Sequence, residues 1–307
     1  MKQPEILKDG FLGVGAEGTD YGKALAVVLP VPYEATVSYG GGTRQGPSAI
    51  IEASHQVECF DEELKVDFTR GGVVTLLPIE SDVRGPEYMV ERVRRAARAC
   101  FRDKKLLLTL GGEHSITTGL VAAAKSVYRN LSVLHLDAHA DMRRAYQGSE
   151  YSHATVGRRI VEMPVPIVQA GVRSFSAEEY RFMRSRRLEP FSPARIAEYP
   201  RNLDPLTNKF ADWTELVSER LTERVYVTID VDVFDPAFAP GTGTPEPGGL
   251  DWFTVTHLLR RICTDKTVIG ADIVEVSPTG TDRVTETLAA RLAAKIITYA
   301  SGMTNLT

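Results

Sequence analysis

Val133-Leu134-His135-Leu136-Asp137-Ala138-His139-Ala140-Asp141 joins a strand-forming run to an alternation of metal-binding residue types. Side chains alternate across a strand with period two, so an extended chain here points Asp137, His139 and Asp141 the same way. Two carboxylates and an imidazole gathered away from water repel one another and lose hydration unless a cation neutralises them. The economical reading is a bound metal.

The design recurs. Val225-Tyr226-Val227-Thr228-Ile229-Asp230-Val231-Asp232 is another β-branched run with same-parity acids at its end. Leu106-Leu107-Leu108-Thr109-Leu110-Gly111-Gly112-Glu113-His114-Ser115 ends an apolar strand in a glycine pair, with His114 where a helix can start. His114, Asp137, His139, Asp141, Asp230 and Asp232 thus form a donor set rich in oxygen and free of thiolate. That chemistry disfavours a closed structural zinc site and favours a harder ion such as Mn²⁺. So many donors exceed the needs of one open catalytic ion and suit two ions about 3.5 Å apart, the arrangement that makes hydroxide from water near neutral pH. The carboxylates cancel two divalent ions, so an added hydroxide leaves the cluster anionic and suited to a cationic substrate.

Strand-like runs at residues 24–31, 71–79, 106–110, 133–137, 165–172, 225–231 and 267–276 alternate with helical patterns at 48–52, 87–101, 115–128 and 283–300. Such alternation predicts an α/β fold: one mostly parallel sheet covered by helices on both faces, with ligands at the carboxyl ends of the strands. Residues 1–22 read as an N-terminal arm with little structure of its own, and residues 23–307 as one catalytic domain. Hydrophobic residues make up 43% of the 307, enough for a sizeable core.

The net charge of −4 gives no basic surface for nucleic acid, and Arg92, Arg94, Arg95 and Arg98 read as the solvated face of a packed helix. No apolar run is long enough for a membrane span and no signal peptide is visible. Cys59, Cys100 and Cys263 are odd in number and widely spaced, which points to reduced thiols in a cytoplasmic protein.

Several segments resemble the ureohydrolases, the arginase and agmatinase family. They are Gly111-Gly112-Glu113-His114-Ser115, Asp137-Ala138-His139-Ala140-Asp141, Ser152-His153-Ala154-Thr155 and Asp230-Val231-Asp232-Val233-Phe234-Asp235-Pro236. Gly241-Thr242-Gly243-Thr244-Pro245, Asp272-Ile273-Val274-Glu275-Val276-Ser277-Pro278 and the N-terminal Pro32-Tyr33-Glu34 with Gly40–Pro47 agree, so the resemblance runs from about residue 25 to 300. It implies an arginase-like three-layer α/β/α domain holding two Mn²⁺ per chain. One ion would sit on His114, Asp137, Asp141 and Asp230, the other on His139, Asp137, Asp230 and Asp232.

By the same resemblance, Asp141, His153 and Glu275 are the catalytic groups. Glu275 holds the guanidinium, Thr244 buttresses that acid, and His153 relays protons near physiological pH, against its plain reading as a surface histidine. His135, His55 and His257 read as structural. The loop Met142–His153 resembles agmatinases more than arginases, which implies cleavage of agmatine to putrescine and urea by a homo-trimer or homo-hexamer. Glu150 or Glu246 is expected to meet the substrate's ammonium, and Arg143 and Arg144 to point away from it. The near alternatives are a guanidino-acid hydrolase such as a guanidinobutyrase, or an arginase. More distant ones are a single-zinc deacetylase-like enzyme or a non-catalytic binding subunit.

Overall fold

The computed structural model describes residues 4–14, 20–199 and 212–302. Its strands are β1 (Ala26–Val31), β2 (Phe60–Asp61), β3 (Val66–Asp67), β4 (Val73–Thr75), β5 (Leu106–Gly111), β6 (Leu131–Leu136), β7 (Ile167–Ala170), β8 (Arg224–Asp230) and β9 (Thr267–Val274). The α-helices are α1 (Gly46–Ser54), α2 (Pro86–Arg102), α3 (Thr117–Val127), α4 (Val156–Glu162), α5 (Ala177–Ser185), α6 (Pro193–Ala197), α7 (Trp213–Arg220), α8 (Trp252–Asp265) and α9 (Val284–Ala300).

Seven strands form one sheet in the order β4-β1-β5-β9-β8-β6-β7, and every neighbouring pair is parallel. Strands β2 and β3 make a separate antiparallel hairpin. Because the sheet is covered on both sides, its strands are apolar in continuous runs, as Leu106–Leu110 and Val225–Ile229 show. Successive residues feed opposite layers. Leu106, Leu108 and Leu110 pack with residues of α1, α8 and α9, while Leu107 packs with residues of α2 and α3. This is the three-layer α/β/α arrangement expected from the sequence.

Of the expected arm, residues 1–3 and 15–19 lie outside the described residues. The part between them is tied to the sheet. Ile6 bridges Leu76, and Phe11 is fully buried with its amide donating to the Thr75 hydroxyl. On α2, Arg94 and Arg95 pair with Glu91 and Arg92 with Asp82, whereas Arg98 buries its Nε without a hydrogen-bond partner. Lys295 of α9 is buried against Asp61 at 2.8 Å and Glu62 at 3.0 Å, fastening the hairpin to the helical layer. Among the described residues no helix is long and apolar enough to cross a membrane.

The strand ends that matter are β5, β9, β8 and β6, adjacent in the sheet and all finishing on one edge. Gly112, just past β5, joins the ends of β1 and β9. Its amide donates to Val31, its carbonyl accepts from Glu275, and a Cβ here would sit 2.0 Å from the Tyr33 carbonyl oxygen. A Gly112→Ala change must therefore push the Tyr33 loop or the Glu275 segment aside. Overpacking of this kind costs about 1–3 kcal/mol, so thermal unfolding should show a clear drop in Tm.

Candidate active site

The six residues singled out from sequence as metal ligands converge at this edge, in two groups that share Asp137. His114 Nδ1 lies 3.1 Å from Asp137 Oδ2, 3.3 Å from Asp141 Oδ2 and 3.4 Å from Asp230 Oδ2. His139 Nδ1 lies 3.0 Å from Asp232 Oδ2 and 3.5 Å from Asp137 Oδ1. The carboxylates and His114 are all buried.

The route to this convergence differs from the extended chain that parity suggested. Strand β6 stops at Leu136 and β8 at Asp230, where a 3-10 turn (Val231–Val233) begins, its first free amide donating to Asp230 Oδ1. Asp141 takes a left-handed φ of 52° and Glu275 one of 63°. Neither is glycine, and such conformations cost of order 1–3 kcal/mol unless their surroundings enforce them. For Asp141 the enforcement is visible. Its carbonyl accepts from Arg158 in α4, and Gly157 leaves room that a Cβ would close to 2.7 Å from the Ala140 oxygen.

The electrostatics of the cluster call for a cation. Burial, with Asp232 and Asp137 nearby, raises the Asp230 pKa well above the usual carboxylate range. Burial and Asp137 raise Asp141 to about 6. Burial alone would lower the His114 pKa, yet Asp137, Asp141 and Asp230 drive it well above the ordinary value. Burial also lowers His139, against Asp137 and Asp232, which bring it to about 12. Protons on the imidazoles and on some of the acids thus stand where divalent charge would serve. His114 Nδ1 is buried without a hydrogen-bond partner although carboxylate oxygens surround it. Donor atoms about 3 Å apart match ligands around one ion at bonds of about 2.1 Å. The residues fit a metal.

His135 also touches this cluster, but as the packed histidine expected. The Gln169 amide nitrogen donates to the Ala140 carbonyl at 2.9 Å and to His135 Nδ1 at 2.9 Å, so His135 Nε2 carries the hydrogen it gives to Asp137 Oδ2, 2.9 Å away. Both ring nitrogens are occupied.

A cavity of about 330 Å³ opens above the cluster, lined among others by His114, Asp141, Arg143, His153, Phe175 and Glu275. Glu275 sits in its floor, with Oε1 accepting from the His114 amide at 2.6 Å. Burial raises its pKa to about 8, with Glu113 adding to the rise and the His114 amide opposing it. Thr244 lines the cavity too, but its hydroxyl is 3.5 Å from Asp232 Oδ2 and does not buttress Glu275.

His153 faces Thr36 and Ser152 through Nδ1, at 3.2 and 3.3 Å, and Ser38 through Nε2 at 3.5 Å. Burial first, then the charges of His114 and His139, lower its pKa to about 4. It is therefore neutral at pH 7, below the near-physiological range its expected role suggested. Thr36 is itself held by Glu113, which accepts from the Thr36 amide at 2.6 Å and hydroxyl at 3.0 Å.

Other expectations are corrected. Glu150 is paired with Arg159 at 3.2 Å and does not reach the cavity, whereas Glu246 lies 3.8 Å from His139 Nε2. Arg144 points outward toward Glu150, but Arg143 lines the cavity, its guanidinium over the Tyr146 ring at 5.0 Å. Arg173 was missed altogether. Its Nη2 donates to the Asp232 and Glu246 carbonyls, each at 2.7 Å, and so fixes the loop bearing Asp232, Thr244 and Glu246.

The comparisons with known proteins agree with this site. The chain matches the arginase family over residues 24–299. It is 37% identical over 288 residues to the N(1)-aminopropylagmatine ureohydrolase of Synechocystis sp., covering 92% of this chain and 90% of that one. It is 36% identical to the agmatinase of Pyrococcus horikoshii, covering 90% and 91%. The crystal structure of the agmatine ureohydrolase of Thermoplasma volcanium superposes with a TM-score of 0.82 at 30% identity, covering 98% of this chain and 95% of that one. The chain belongs to the arginase family, with its arginase-like fold. Within that family it is a ureohydrolase, a hydrolase of guanidino compounds.

Proposed function

We propose that the chain hydrolyses the guanidinium of agmatine, or of agmatine extended at its amine, to urea and the corresponding amine, with two Mn²⁺ per chain. The observation that carries this is the buried Glu275 carboxylate in the floor of a cavity roofing the acid and imidazole cluster. His114, Asp137, Asp141 and Asp230 would hold one ion, and His139, Asp137, Asp230 and Asp232 the other. When bound, the ions activate water near neutral pH and neutralise the charge that builds up on the guanidinium carbon's substituents.

The chain's own residues do the rest. Glu275 grips the planar guanidinium through charged hydrogen bonds and so fixes the carbon above the cluster. Asp141 takes up a proton as ligand and acceptor. His153, neutral and lining the cavity with Nε2 3.5 Å from the Ser38 hydroxyl, accepts a proton on its way to product or bulk water. Glu246, 3.8 Å from His139 Nε2, is the acid available to the substrate's far ammonium. The relatives' names support this amine class, and both agmatine and its aminopropyl derivative fall within it. The free thiols of Cys59, Cys100 and Cys263 fit a cytoplasmic enzyme, and assembly as a homo-trimer or homo-hexamer is carried by the family resemblance alone.

A second reading, a guanidino-acid hydrolase, is favoured by one observation: Arg143 lines the cavity, where a guanidinium would attract a carboxylate. Glu179, 3.8 Å away, offsets that charge only in part. Urea release from agmatine, N(1)-aminopropylagmatine, arginine and 4-guanidinobutyrate by the manganese-loaded protein separates the two. Turnover confined to the amines establishes the first reading, and Arg143→Gln should then lower their KM by about tenfold or less. Preference for 4-guanidinobutyrate, lost in the same variant, would replace the first reading by the second.

A further inference from the structure

Beneath the cluster, five adjacent strands each place one polar residue at the same level of the sheet. The register pairs Thr109 of β5 with Asp272 of β9, Asp272 with Thr228 of β8, Thr228 with His135 of β6, and His135 with Gln169 of β7. All five are buried. A polar row in the middle of an apolar sheet is costly unless its hydrogen bonds are satisfied. Thr228 bonds Asp272 and Gln169 bonds His135 within the row, and from it Thr228 and His135 reach up to His114 and Asp137.

The hydrogens in the Asp272 half of the row can be assigned. Asp272 Oδ1 accepts from the Thr228 hydroxyl at 2.6 Å, and Oδ2 accepts from the Tyr226 hydroxyl at 2.8 Å and the Thr117 hydroxyl at 3.0 Å. A carboxylate only accepts, so the Thr228 hydrogen is committed to Asp272. Thr228 Oγ1 can then only accept from His114 Nε2, 2.9 Å away. The ring therefore keeps its hydrogen on Nε2 and turns Nδ1 toward Asp137, Asp141 and Asp230.

We infer that Asp272, acting through Thr228, is a positioning residue that fixes the tautomer and orientation of His114 so that Nδ1 is its metal-binding atom. The Gln169–His135 pair does the corresponding work for Asp137 from the other end of the row. This inference rests on the reading of His114 as a ligand. Histidine ligands commonly depend on such a partner for the opposite nitrogen, and losing it weakens metal binding about 10–100-fold.

The test is the Mn²⁺ affinity of the full chain, measured by competition with a chelator, for wild type, Thr228→Val, Thr228→Ser, Asp272→Asn and His114→Ala. Circular dichroism and Tm on the same samples establish that each variant folds. Thr228→Val keeps the shape but neither accepts nor donates, and should weaken one of the two ions about 10–100-fold while the other binds as in wild type. Thr228→Ser restores the hydroxyl and should return affinity to within about threefold of wild type. Asp272→Asn offers an N–H to Thr228, which frees the hydroxyl to donate toward His114 and favours the wrong tautomer. It should weaken the same ion at least as much as Thr228→Val. Folded Thr228→Val protein with wild-type affinity for both ions overturns the inference. Affinity unchanged in His114→Ala overturns the ligand reading beneath it, and the inference with it.

Discussion

Asp230→Asn should make the metal-free protein more stable and the metal-loaded enzyme inactive. In the folded chain burial and the neighbouring Asp232 and Asp137 raise the Asp230 pKa well above its ordinary value. A carboxyl group whose folded pKa is raised binds more protons in the folded state, so the stability it contributes falls as pH rises past the unfolded value of about 4. Near pH 7 without metal, the position is a penalty that an uncharged amide of equal size removes. Against a chelated wild type, the Tm at pH 7 should rise by about 2–5 °C. Ligand-linked stabilisation works the other way. Wild type should gain Tm on adding Mn²⁺, because an ion that binds only the folded state stabilises it, and the variant should lose most of that gain. Urea release should fall about 10³-fold or more, equivalent to about 4 kcal/mol of lost transition-state stabilisation. A variant less stable than wild type under chelation would show that Asp230 is held by the protein and not poised for a cation.

The same tension explains which parts of this molecule could be read from its sequence. Strands buried on both faces leave continuous apolar runs, so β5, β6, β8 and β9 stood out, as did the acids and histidines placed where those runs stop. The candidate ligand set was legible for that reason. Its geometry was not, because Asp141 and Glu275 reach the site through left-handed backbone that no propensity favours for an acid. Helices α4 to α8 were left undifferentiated between the strands. Yet Ser176 and Glu179 form a capping box, and Asp251 caps α8, signals the sequence does carry. Partners far apart in the chain stayed hidden: Thr36 against His153, and Thr228 joining His114 to Asp272. Glu150 was misplaced because Arg159, nine residues on, claims it. Loop side chains are chosen by neighbours that only the fold supplies.

Glu275→Gln should leave the metal in place and remove the reaction. Glu275 contributes no atom to either ligand group, so Mn²⁺ content and the Tm gain on metal binding should match wild type. What changes is the anchor. A carboxylate gives a guanidinium charged hydrogen bonds worth about 1.5–3 kcal/mol each, and a neutral amide presents one acceptor and an N–H that opposes the substrate's own. The loss should be about 4 kcal/mol, or about 10³-fold in kcat/KM. Glu275→Asp keeps the charge and should fall between the two. The pH profile follows from the same group. Burial raises the Glu275 pKa to about 8 in the chain alone, whereas a guanidinium stays charged throughout and favours the ionised acid. Binding below that pKa must therefore expel a proton, so kcat/KM should rise toward pH 8. Calorimetry in buffers of different ionisation enthalpy should show proton release on binding in wild type and none in Glu275→Gln. Equal release in both proteins would assign the titrating group to the metal cluster and leave Glu275 as a neutral wall of the cavity.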